Sequence, residues 1–201
     1  NNLANHVTPN LLMTAIHAPG IDGGELIAEY ALTSSRSRRE ISNIIDINHM
    51  LHLLAVSTGN VFNCICYIIL SAFYENPTLP QRIDQATDLT GVANIIFSIE
   101  ESKQTRTFVA AIVANLLEYH HGLQVICFGE QFLQMVRDAL QESDDRLVCW
   151  LLIVLWRVFE MSDISVELFF DLSLHVQIGT LTLHSSPHIR AAAALMLTCL
   201  L

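Results

Sequence analysis

Three apolar helices in this chain begin with an arginine near their start, and they recur at nearly constant spacing. Arg106 opens QTRTFVAAIVANLLEY, Arg146 opens DDRLVCWLLIVLWRVF, and Arg190 opens PHIRAAAALMLTCLL. The intervals are 40 and 44 residues, and a further 44 residues back lies Phe62, inside the apolar segment NVFNCICYIILSAFYE. Such a period constrains folding strongly. Each unit is one supersecondary element that cannot bury its apolar face alone, so neighbouring units must stack.

A period of about 40 to 47 residues with paired helices is the signature of HEAT or armadillo repeats. The expected fold class is all-α, an α-solenoid of HEAT/armadillo-type helical repeats forming a superhelix. The expected division is a weakly patterned N-terminal segment, 1–45, with a short helix at Glu25–Thr33 after the turn-forming run Gly20 to Gly24, followed by about four repeats over 46–201. The principal helices are predicted at 60–75, 104–119, 145–160 and 187–200, parallel to one another. Ile44, Ile45, Ile47, Leu51, Leu54 and Ala55 are spaced for one face of an earlier helix ending near Gly59. Pro80 is expected to open a short helix to Asp88. In EQFLQMVRDALQ the apolar face is Phe132, Leu133, Val136, Ala139 and Leu140. Phe170 to Leu183 alternates apolar and polar residues, which alone would indicate a strand. The flanking repeats demand a helix there, to about Ile178.

The chain's 201 residues are 52% hydrophobic and 15% charged, with a formal net charge of −10 and Lys103 as the only lysine. That balance argues against a nucleic-acid partner, because phosphate binding needs clustered cations. Arg36, Arg38 and Arg39 form the one basic cluster and are read as a solvated turn. The longest apolar run, Leu147 to Trp156, is half of the roughly 20 residues that a membrane-spanning helix needs. The first residues, NNLANHVTPN, carry no signal-peptide pattern. The chain lacks an initial methionine and stops within an apolar helix at Leu201, as expected of a piece of a longer protein. Cysteines 64, 66, 127, 149 and 199 give no disulfide framework and are expected as free, buried thiols of a reducing compartment.

No enzyme signature is present. GIDGGE lacks the lysine and hydroxyl residue of a phosphate-binding loop, and no nucleophile elbow occurs. His49 and His52 could share a helix face, but no further ligand follows at metal spacing. No cofactor, metal or catalytic residue is therefore expected. Trp150 and Trp156 are expected in the core. The repeated arginines are expected to form a ladder, pairing with acids of the adjoining repeat such as Glu142 or Asp145.

From Phe62 to Leu201 the chain resembles the HEAT-repeat region of the raptor family, the scaffold subunits of TOR kinase complexes. The residues that carry the likeness are FVAAIVANLLEYHHG, CWLLIVLWRVF with Trp150 seven residues before Arg157, and SSPHIRAAAALML. Residues 1–45 do not carry it. The resemblance implies a non-catalytic adaptor that docks on the helical repeats of a TOR-type kinase and can receive Rag-type small GTPases. It also implies a cytoplasmic protein recruited through partners to the lysosomal or vacuolar surface. Loops between paired helices should line one edge, at Asp88 to Thr90, His120 to Gly122, and Ser162 with Asp163. Because loops carry function more often than cores, Asp88, Thr90, His121, Gly122, Ser162 and Asp163 are the candidate partner-binding residues, the GTPase edge of the raptor-like reading. The competing class is a transport factor that carries cargo peptides on concave ladders of Asn and Trp. Asn63 and Asn115 are isolated here and both Trp residues sit in one repeat, which argues against it.

Overall fold

The computed structural model describes residues 34–142 and 144–198, without the side chains of 163–166. The helix expected at Glu25–Thr33 and the turn at Gly20–Gly24 lie outside the described residues. The chain divides into two compact units, 1–89 and 90–201. Every regular element among the described residues is helical.

In the first unit, α1 (Ser35–Ile44), α2 (Ile47–Val56) and α3 (Gly59–Glu75) are followed by a 3₁₀ turn at Leu79–Arg82. One helix was expected from about Ile41 to Gly59; two form, because Asp46 interrupts it. Its carboxylate accepts the N–H groups of Asn48 and His49 and caps α2, which satisfies donors that a continuous helix would direct at carbonyls. Gly59 turns the chain from α2 into α3 at a φ of 61°, a left-handed conformation that glycine adopts at little cost. On α3, Phe62, Ile65, Cys66, Ile69 and Phe73 are buried, and the helix packs on α1 and α2. Asn76 and Pro77 end it as expected.

Two further expectations fail in this unit. Arg36, Arg38 and Arg39 lie within helix α1, not in a turn. Arg38 and Arg39 donate to the two carboxylate oxygens of Glu75 at 3.0 and 3.2 Å, and Glu75 is only 6% exposed. Arg36 pairs with Glu40 one turn along. The basic cluster thus neutralises acids of its own unit. The helix expected from Pro80 to Asp88 is reduced to the single turn Leu79–Arg82. Beyond it the Asn48 side chain accepts from the Asp84 N–H at 2.7 Å and donates to the Arg82 carbonyl at 3.3 Å.

The second unit contains α4 (Thr90–Asn94), a 3₁₀ turn at Ile95–Phe97, α5 (Lys103–Leu116), α6 (His121–Cys127), α7 (Glu130–Ala139), α8 (Asp145–Met161), α9 (Asp163–Asp171), α10 (Leu174–Leu181) and α11 (Pro187–Thr198). The long helices pack in series, α8 touching both α5 and α11. Ser102, Asp144 and Pro187 start them: the first two accept backbone N–H groups with their side chains, and proline stands at a position where its missing donor costs nothing. The short helices form the other layer, with α4 on α6, α6 on α7, α9 on α7 and α10, and α10 on α11. The face anticipated for α7 is the buried one: Phe132, Leu133, Val136, Ala139 and Leu140 are all covered.

The alternating segment is helical, but in two pieces. Helix α9 ends at Asp171, Ser173 takes a left-handed φ of 57°, and α10 runs to Leu181, past the expected end at Ile178. Leu174 and Ile178, four residues apart, are buried, whereas Val176 and Leu183 are exposed. The alternation never described one buried face: of its seven apolar members only Leu174 and Ile178 are buried, and Phe170, Val176 and Leu183 are exposed.

Cys66 and Cys127 are buried as expected, and removal from water pushes both thiols well above the usual range. Cys64 and Cys149 are only half-buried, and Cys199 lies outside the described residues.

Candidate partner-binding face

Helix α8 carries the site. Leu147, Val148, Leu151, Leu152, Val154, Leu155 and Val158 are buried, on sides covered by α5, α11 and α9. Along the open side, Arg146, Cys149, Trp150, Ile153, Trp156, Arg157 and Glu160 reach the surface, with Asp145 and Met161 uncovered at the two ends of the helix. Their spacing of three and four residues places them on one face. Trp150 was expected in the core, and the structure corrects this: it is half-buried, as is Trp156. A helix apolar nearly all round was expected to be covered on several sides. It is covered, yet one side remains open, and the largest aromatic residues are on that side.

Between α8 and α11 that face deepens into a groove of about 610 Å³. Cys149, Trp150 and Ile153 line it from α8 and Ala192 from α11; Asp145, Arg146, Ser186 and His188 stand around it, all in or beside the first turns of the two helices. Partial burial and the neighbouring Asp145 carboxylate hold the Cys149 thiol above its ordinary range, so it is a neutral lining group. Further along, the Arg157 guanidinium lies over the Trp156 ring, 4.5 Å from its centroid. Arg157 also reaches Glu160 at 3.3 Å and Glu118, just beyond α5, at 3.7 Å. An aromatic side chain flanked by arginine is the composition found at binding hot spots.

The repeated arginines have three different surroundings. Arg106 is 6% exposed and forms a two-pronged pair with Glu142, one prong at 2.8 Å, while its Nε donates to the Ile96 carbonyl at 2.6 Å. This is the pairing expected of a ladder. The ladder stops there. Arg146 is exposed and has no ion pair among the described residues. Arg190 is exposed and donates to the carbonyls of His184 and Ser185, both at 2.8 Å, closing its own loop. A ladder needs an acid one repeat further on, and the loop before α11, residues 182–186, carries none.

The residues chosen as a loop edge are mostly helix starts. Asp88 is exposed at the end of the first unit and Thr90 opens α4. His121 and Gly122 are the first residues of α6, and the true joint is His120, which is buried and accepts the Leu123 N–H at Nδ1. At Gly122 a Cβ would come within 3.0 Å of the His120 ring, so that ring and glycine fit as a pair. Ser162 immediately precedes α9 and Asp163 is its first residue. The helices bearing Thr90 and His121 touch each other, whereas the one opened by Asp163 packs on α7, α8 and α10. The groove residues Arg146, Trp150, Ile153 and Ala192 were missed as a site. The sequence signal for them was the spacing of the two Trp with Cys149, Ile153 and Arg157.

Among the described residues no three metal-capable side chains gather, and no helix is long and apolar enough to cross a membrane.

No protein-family model matches the sequence, and no curated protein does. The fold does match solved structures. Computationally designed armadillo repeat proteins for modular peptide recognition align over 94% of this chain and 80% of theirs, with a TM-score of 0.65 at 11% identity. An engineered protein aligns over 99% of this chain and 79% of its own, with a TM-score of 0.65 at 12% identity. A designed armadillo repeat protein in complex with the peptide (KR)4 aligns over 94% and 80%, with a TM-score of 0.62 at 9% identity. At such identities the likeness shows the fold alone. The architecture is the all-α, armadillo-type repeat solenoid that the 40- to 44-residue spacing predicts.

Proposed function

We propose that this chain is a non-catalytic scaffold, an armadillo-type solenoid that holds protein partners on the open face of α8 and its neighbours. The carrying observation is that Trp150 and Trp156, though partly buried, reach the surface on one face of a helix whose other sides are fully packed. Two indoles that reach the surface side by side on a rigid helix serve well as anchors in an interface. The resemblance over Phe62 to Leu201 supports a more specific reading, in which the chain belongs to a raptor-like adaptor of a TOR kinase complex. Its partners are then the helical repeats of a TOR-type kinase and Rag-type small GTPases. Asp88, Thr90, His121, Gly122, Ser162 and Asp163 are the proposed GTPase contacts, and recruitment of a cytoplasmic protein to the lysosomal or vacuolar surface follows from those partners.

The transport-factor reading gains from Trp150 reaching the surface and from the solved armadillo protein that holds (KR)4. It loses from the lack of a repeated Asn and Trp ladder, since Asn63 and Asn115 are isolated and both Trp residues sit in one helix. Affinity capture with the full-length protein tests the proposal. A TOR-type kinase should be recovered, and changing His121, Ser162 and Asp163 to bulky or charge-reversed residues should remove a small GTPase while the kinase stays. Failure of the unaltered protein to recover any TOR-type kinase sinks the specific reading.

A further inference from the structure

We propose that Tyr74 is a phosphorylation site and that a phosphate there latches α1 onto the end of α3. The site belongs to the first unit and is independent of what the open face of α8 holds. Tyr74 lies in the last turn of α3, just before Glu75 and the stop at Asn76 and Pro77. It is 77% exposed, whereas Tyr67 and Tyr119, the other described tyrosines, are half-buried. A last helical turn frays readily, so a tyrosine kinase reaches this phenol at small cost to the fold. The Tyr74 oxygen takes the γ-phosphoryl group of a nucleoside triphosphate. Its bond to phosphorus forms and the bond from phosphorus to the β-phosphate oxygen breaks. The nucleoside diphosphate leaves with that electron pair, and the phenol proton passes to the base of the kinase.

A receptor for the phosphate is already in place on α1. The Arg38 guanidinium lies 5.9 Å from the centre of the Tyr74 ring. Arg39 reaches the adjacent Glu75 through its Nε alone, and its side chain is 73% exposed, so its two Nη groups remain for a new acceptor. Arg36, Arg38 and Arg39 meet two carboxylates among the described residues, Glu40 and Glu75. The cluster therefore carries positive charge in excess. A tyrosine phosphate brings about two negative charges and three acceptor oxygens, which suit guanidinium forks. The α3 dipole and the Glu75 carboxylate oppose it. The dipole acts there on a group in water, and Glu75 is already paired with two arginines, so the new pairs prevail. Without the phosphate α1 is lightly held. Ile41 is its one buried apolar residue, and the pairs at Glu75 are a large part of its hold on α3.

The full chain carrying phosphotyrosine at position 74, installed by genetic code expansion, tests the latch against the unmodified chain. In hydrogen exchange the α1 amides, 35–44, should exchange at least about tenfold more slowly, with the α8 amides unchanged. Arg38→Ala, Arg39→Ala and Glu75→Ala combined strand no charge, and in that variant the phosphate should bring no slowing. Equal or faster exchange of α1 in the phosphorylated chain overturns the latch, as does a slowing that persists in the triple variant. Access is tested by incubating the folded chain with ATP and a panel of tyrosine kinase catalytic domains, followed by mass spectrometry. Phosphate should appear on Tyr74, and Tyr74→Phe should remove it. Phosphate on Tyr67 or Tyr119 with none on Tyr74, or no phosphate at all, overturns the site.

Discussion

Arg106 and Arg146 occupy the same point in successive repeats, 40 residues apart, each within the first turns of a long apolar helix. Arg106 is sealed beneath Glu142 and the Ile96 carbonyl. Arg146 stands in solvent beside Trp150. The contrast arises in what each helix start faces. The 3₁₀ turn at Ile95–Phe97 packs on α5, and Glu142, at the end of the α7 segment, comes close enough to close over Arg106. The start of α8 faces the groove. One arginine therefore holds the fold together, and the other meets solvent.

Neighbours on α8 show the same division, and substitutions there should give the largest effects. Leu151 is fully buried and Trp150, the adjacent residue, is not. We expect Leu151→Ala to cost about 3–4 kcal/mol in chemical unfolding, the usual range for an aliphatic core truncation. A loss below about 1 kcal/mol would show that α8 is not packed as described. Glu142→Ala should follow at about 3 kcal/mol. It strands a nearly buried guanidinium, and because Glu142 is itself about a third exposed, the low end of the range for broken buried pairs applies. A thermal midpoint equal to that of the unaltered protein would place Arg106 with Arg146 and erase the distinction.

Trp150→Ala should cost less than about 1.5 kcal/mol, well under the 3–5 kcal/mol of a core aromatic, because part of the ring already meets water. A full core-sized loss would return Trp150 to the interior and remove the anchor of the proposed interface. Arg146→Ala should lie within about 0.5 kcal/mol of the unaltered protein, as for an exposed side chain without a partner. A larger drop in stability would reveal a structural role and erase the contrast with Arg106.

Much of the architecture was legible in the residues themselves. The starts of α8 and α11 follow from Asp144 and Pro187, and the buried face of α7 follows from the spacing of Phe132, Leu133, Val136, Ala139 and Leu140. These are local effects: caps satisfy free N–H groups within one turn, and a helix of fixed pitch sorts its own faces. Errors arose where a local signal competed with another. Asp46 lies within a segment whose apolar spacing suits one helix, and it acts as the cap of a second. Arg38 and Arg39 looked like a turn until Glu75, distant in sequence, met them.

Sequence alone determined the repeat length, the long apolar helices and the armadillo-type class, because period and capping are encoded within single repeats. It did not determine which side of α8 stays open. The helix is apolar around most of its circumference, so its own pattern does not single out the uncovered side. The positions of α5, α9 and α11 decide that, and with it whether Trp150 is core or contact surface. The fate of each repeated arginine was likewise settled by an acid 36 residues away, as for Arg106, or by the lack of one among the described residues, as for Arg146. Burial and pairing depend on which segments become neighbours, and only the packed tertiary structure specifies them.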